Sequence, residues 1–166
     1  MTNTVERPSL RPDWRRSGLV LLVGTLALMW LVQIVDEVAL NDRLEGDGIH
    51  PRHLDGLLGI VWSPFLHSGF AHLIANSIPF LVLGGLVVAH GRIRWIQVTV
   101  FVIVVGGALT WLLGRTANHI GASGLVFGYF GYLIGSAFVR RNLTAIVTAI
   151  IAVVVYGGLI FGFVPR

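Results

Sequence analysis

Cysteine and lysine are both absent from the 166 residues, and charge of either sign is scarce. Without cysteine there are no disulfides, no thiolate metal sites and no cysteine nucleophile. Charged residues make up 12% of the chain, against about 25% in a soluble domain that must keep its surface wet. Water is therefore not the main solvent of this chain. Hydrophobic residues reach 55% and mean hydropathy is +0.81, which excludes disorder. No acidic residue follows Asp55. Proton relays and cation pathways rely on carboxylates inside membrane spans, so a small transporter is disfavoured. The net charge of +4 comes wholly from arginine. A basic balance often marks nucleic-acid binding. Here the arginines stand between apolar runs, so they mark membrane topology, and no nucleic-acid partner is expected.

A bilayer core takes about 20 apolar residues in a helix. Five stretches qualify, at 18–35, 70–89, 95–113, 122–139 and 143–163. The bilayer offers no partner to free backbone groups, so each is expected to be a helix. No small-x-small cleavage site follows the first, which reads as an uncleaved span. The expected fold is an all-α polytopic membrane protein, a helical bundle with five transmembrane helices. Residues 1–17 read as a cytoplasmic tail and 18–166 as one membrane domain.

Arginine placement gives the orientation. With the N-terminus inside, Arg7, Arg11, Arg15, Arg16, Arg92, Arg94, Arg140 and Arg141 are cytoplasmic, and Arg43, Arg52, Arg115 and Arg166 are outside. Six of the eight acidic residues fall between Asp36 and Asp55, in the first outer loop. That loop has its own apolar run from Leu54 to Trp62, expected to lie on or partly in the outer leaflet.

Polar side chains inside spans are costly and mark candidate sites. The second span opens with His67, His72 and Asn76. The last two are four apart and share a helix face, and His67 is expected one turn further out. Hydrogen bonding between spans is the plain structural use of such residues. The fourth span opens Gly121-Ala122-Ser123-Gly124 and holds two small-xxx-small pairs, Gly124/Gly128 and Gly131/Gly135. These predict a central helix that others approach closely. Both spans run outside to inside, so His72, Asn76 and Ser123 share a depth. A serine facing a histidine and an asparagine that can donate hydrogen bonds looks like a nucleophile beside an oxyanion site. No same-face histidine pair is joined by a carboxylate, so no metal site is expected.

The His67-x4-His72-x3-Asn76 spacing, followed by Gly121-Ala122-Ser123-Gly124, resembles the rhomboid intramembrane serine proteases. The resemblance extends from about residue 15 to the end. It implies Ser123 as nucleophile, with His72, Asn76 and the Ser123 N–H holding the oxyanion. Gly121 would shape the turn into the helix, Phe127 would occupy an aromatic position against the catalytic histidine, and His67 would have a supporting role. It further implies cleavage of single-pass membrane proteins from a water-filled pocket open to the outer face, in a bacterial plasma membrane, with no cofactor. The chain departs from the family at two points. Trp62-Ser63 stands where many rhomboids have Trp-Arg. None of His50, His53, His67, His72, His90 and His119 follows Ser123, whereas the family's base lies in a sixth span. The 166 residues thus read as a rhomboid core cut before its last helix, weak or inactive as a protease, or as a non-catalytic relative that binds client helices.

Overall fold

The computed structural model describes residues 14–156. Helix α1 (Trp14–Val35) continues into a π turn at Asp36–Leu40. A short α2 (Gly59–Trp62) sits within the following long connection, between 3-10 turns. Helix α3 (Phe70–Val88) runs on through Pro79. Helix α4 (Arg92–Phe101), a π segment at Val102–Gly106 and α5 (Gly107–Leu113) form one rod. Helices α6 (Ser123–Arg140) and α7 (Leu143–Tyr156) complete the bundle. The described residues contain no strand, only an isolated backbone pairing between Ile49 and His119.

Among the described residues, three helical stretches are long and apolar enough to cross a membrane, Arg15–Leu40, Phe70–Val88 and Arg92–Leu113. The fourth expected span is the 18-residue α6, whose four glycines, two tyrosines and terminal arginine lower its hydropathy. The fifth is described as far as Tyr156, and its expected end lies outside the described residues. The protein is an all-α helical membrane bundle.

Helix α6 is central and touches α3, α4, α7 and the π segment. Leu125, Tyr129 and Leu133 come one turn apart on its buried face, and they meet Leu73, Phe80 and Leu83 of α3. Tyr129 is wholly buried, 5.8 Å from the Phe80 ring. Its hydroxyl lies 2.8 Å from Thr99 Oγ1 of α4, so its polar atom is satisfied inside the core. Trp30 Nε1 of α1 donates to Ser77 Oγ of α3 at 3.2 Å. Lipid-facing leucine, valine and isoleucine side chains cover the outer surfaces, as on Val20, Ile78, Val100 and Val154.

The small-xxx-small expectation for α6 holds at one position. A methyl group on Gly128 would stand 2.3 Å from Val102 Cγ2, whereas Gly124, Gly131 and Gly135 face open space. The π turn pushes Val102 into the gap that Gly128 leaves. Substitution therefore separates the two classes. Gly128→Ala should lower the thermal midpoint in detergent by several degrees, because a stiff β-branched side chain must give way. Gly131→Ala should leave it unchanged or raise it, since alanine favours helix by about 1 kcal/mol over glycine.

Candidate active site

The long connection between α1 and α3 folds against the turn that leads into α6. Ile49 and His119 exchange two backbone hydrogen bonds of 3.0 Å. The Gly121 N–H donates to the Ser63 carbonyl at 2.8 Å. The Ala122 N–H donates to His67 Nε2 at 3.2 Å. Further out, the Arg52 guanidinium donates to the Gly114 carbonyl at 2.8 Å, and Trp111 Nε1 donates to the His53 carbonyl at 2.8 Å. The apolar run of the connection packs Ile60 on Gly107 of α5. Its Leu54, Leu58 and Trp62 side chains face outward.

Gly121 is the contact between the two sequence motifs. Its φ of +109° is a conformation that side-chain-bearing residues rarely adopt. A methyl group there would lie 2.7 Å from His72 Cε1, 2.8 Å from His72 Nε2 and 3.6 Å from Asn76 Nδ2. His72 and Asn76 thus pack directly on the turn, two residues before Ser123. Ser123 is the first residue of α6 and is half-buried. Its N–H has no helical carbonyl one turn back to bond.

Hydrogen bonding assigns the protons. His72 Nδ1 accepts from the Ser68 N–H at 3.4 Å and lies 3.1 Å from Ser68 Oγ. Its proton therefore sits on Nε2, the nitrogen that faces Gly121. Asn76 Nδ2 spends one proton on the His72 carbonyl at 3.0 Å, which leaves the other free. An imidazole N–H, an amide N–H and a helix-start N–H can together hold a developing oxyanion. Among the described residues nothing hydrogen-bonds Ser123 Oγ. His119 Nε2 is engaged with the Arg115 carbonyl, and His50 pairs with Asp55. His90 is at the far end of α3, bonded to Tyr132 and Thr148. Phe127 lies one turn below Ser123 and is half-buried. Among the described residues, no group of three metal-ligating side chains comes together.

The placement of His67 differs from the sequence expectation. It does not lie on α3. Gly69, with φ +84°, caps that helix and breaks it from the preceding residues. His67 reaches instead across to Ala122, is 1% exposed, and stands edge-on to His72 with ring centroids 5.2 Å apart. Burial first, and the neighbouring His72 second, push its pKa down to about 4. It is neutral and accepts the Ala122 N–H, which puts its own proton on the buried Nδ1. The contacts of the Ser63 carbonyl with Gly121 and of Ser68 with His72 are not legible in the sequence, because neither serine belongs to a periodic pattern. Ser68 sits four residues before His72, but off the helix that would make that spacing informative.

The unfolded histidine titrates near 6.5 and folded His67 near 4, so the unfolded chain binds more protons between these values. Its contribution is complete above about pH 6.5 and is lost as pH falls toward 4. The whole shift corresponds to roughly 3 kcal/mol. Thermal midpoints in detergent should stay level down to about pH 6.5 and fall below it. His67→Gln should start lower and lose most of that acid-side slope, and an unchanged slope in this variant would exclude His67 as its source.

Residues 55–166 match the Rhomboid domain family. An uncharacterized protein of Mycobacterium tuberculosis is 38% identical over 161 residues, covering 93% of this chain and 66% of the relative. An uncharacterized protein of Mycobacterium leprae is 38% identical over 162 residues, covering 93% and 63%. RHOMBOID-like protein 5 of Arabidopsis thaliana is 29% identical over 136 residues, covering 77% and 41%. No solved structure matches the chain. The chain spans about two thirds of the length of the mycobacterial relatives. The domain match takes in α3, α6 and the turn that joins their polar residues, and on it the chain belongs to the rhomboid family.

Proposed function

We propose that the chain carries the nucleophile and oxyanion parts of an intramembrane serine protease that cleaves single-pass membrane proteins. The observation that carries this reading is the packing of His72 and Asn76 on Gly121, beside the Ser123 helix start. Ser123 Oγ attacks the scissile carbonyl, and the carbonyl oxygen becomes an oxyanion. His72 Nε2–H, the second Asn76 amide proton and the Ser123 N–H donate to it. Collapse of the tetrahedral intermediate expels the amine, and water releases the acyl group from Ser123. The hydroxyl proton must pass to a base and from there to the leaving amine. None of the six histidines of the sequence is within hydrogen-bond reach of Ser123 Oγ among the described residues. A second reading is a rhomboid protein that binds client transmembrane helices without cutting them.

Cleavage of a single-pass substrate in liposomes separates the two. The chain extended by a histidine-bearing helix from a longer relative should cleave, and Ser123→Ala should abolish this and also block fluorophosphonate labelling. The 166-residue chain should keep only the roughly 10³–10⁴-fold advantage over water that a site without its base retains. In the extended protein His72→Ala or Asn76→Ala should each cost about 10²–10³ in kcat. An extended protein that stays silent would hand the function to client binding.

The proposed orientation has the N-terminus cytoplasmic and Ser123 toward the outer side of a bacterial plasma membrane. Arg92, Arg94, Arg140 and Arg141 cluster at the far end of the bundle, while six carboxylates lie in the connection on the Ser123 side. Because the chain has no cysteine, Gly46→Cys and Asn142→Cys give unique labels. An impermeant maleimide should label Gly46→Cys in intact cells and Asn142→Cys only after permeabilisation. The reverse pattern would invert the orientation.

A further inference from the structure

At the end of the bundle away from Ser123, the α3–α4 turn and the last turn of α6 border an open cleft of about 410 Å³. Helix α6 has 18 residues, so roughly 27 Å separates this cleft from the serine. Arg92, Arg94 and Gln97 line it from α4, Arg140 lines it from α6, and His90 closes it from the turn. Three arginines therefore line one cleft in which, among the described residues, no carboxylate takes part. The described acidic residues, Asp36 to Asp55, all belong to the connection at the other end.

His90 holds the cleft in shape and is not a ligand for it. Thr148 Oγ1 donates to the Thr144 carbonyl at 2.8 Å, so at 2.9 Å it accepts from His90 Nε2–H. His90 Nδ1 then accepts from the Tyr132 hydroxyl at 3.1 Å. Both ring nitrogens are used, and the ring ties the turn to α6 and α7. Burial, followed by Arg140 and then Arg94, lowers its pKa, which keeps it neutral among the cations.

Apolar side chains adjoin the lining residues. Ile93 lines the cleft and is exposed, and Phe138 and Val139, the two residues before Arg140 on α6, are exposed as well. A free anion would meet only the guanidinium floor, whereas a phospholipid would also lay its acyl chains along these side chains. Planar guanidinium groups bind phosphate oxygens through paired, charge-assisted hydrogen bonds. We infer that this cleft is a binding site for the phosphodiester of an anionic phospholipid headgroup, bridging α4 and α6. The inference is independent of whether Ser123 is catalytic.

Native mass spectrometry of the full chain in detergent tests it, with phosphatidylglycerol or phosphatidylcholine added in equal amounts. Phosphatidylglycerol should be retained about tenfold or more over phosphatidylcholine, the factor that loss of one strong contact removes. Arg94→Gln/Arg140→Gln should reduce retention to the phosphatidylcholine level, and Arg141→Gln, an arginine outside the cleft, should not. If the double variant loses helical circular dichroism, Arg94→Gln alone reads the same comparison. Equal retention of the two lipids would overturn the inference, as would an equal loss in Arg141→Gln. Inorganic phosphate forms the remaining arm. It should compete weakly, and full displacement at low millimolar concentration would reassign the cleft to a free anion.

Discussion

The arrangement around Ser123 depends on how the backbone N–H groups ahead of α6 find partners. A helix start leaves several donors without intrahelical acceptors, and a buried donor left unpaired costs about 1–3 kcal/mol. Here Gly121 N–H goes to the Ser63 carbonyl and Ala122 N–H goes to His67 Nε2. Both acceptors come from the connection before α3. The connection is thus part of the site's scaffold, and its pairing with His119 closes the structure over the turn. Once these bonds form, Gly121 is pressed against His72 and Asn76, and only a residue without Cβ fits.

The two ends of the bundle are built on different chemistry. At the Ser123 end, imidazoles and backbone amides meet under a connection rich in carboxylates. At the other end, arginines surround a histidine whose ring atoms are fully engaged with Tyr132 and Thr148. Helix α6 joins the ends, and the buried Tyr129–Thr99 hydrogen bond ties it to α4 midway. Packing along α6 is close at Gly128, where the π turn presents Val102. The helix is held firmly at its start by hydrogen bonds and along its length by apolar contact.

Much of this was legible in the residues. Apolar runs of span length gave the helices, and the four-residue spacing of His72 and Asn76 placed both on one face. The shared direction of two spans brought them to the depth of Ser123. Glycine spacing was a poorer guide. Four glycines on α6 look alike in sequence, yet one meets a neighbour and three face open space. The difference lies in the π turn of another helix, which no local pattern on α6 records. His67 was misplaced for a related reason. Counting turns back from His72 assumes that the helix continues, and Gly69, with its positive φ, ends it.

By itself the sequence determined the solvent, the helices and the polar residues worth watching, because burial in lipid penalises every charge and every free backbone group. Its lack of carboxylates after Asp55 also left no acidic residue within α4 or α6 to pair with their arginines. The folded structure decided which nitrogen of His67, His72 and His90 carries the proton. His72 presents Nε2–H to the turn because Ser68 occupies its other nitrogen, and His67 is held neutral because packing removes it from water. The His67 assignment rests on Ala122, 55 residues away, and the His72 assignment on Ser68, which is near in sequence but off the helix. Local propensity acts over one or two helical turns and has no term for such contacts.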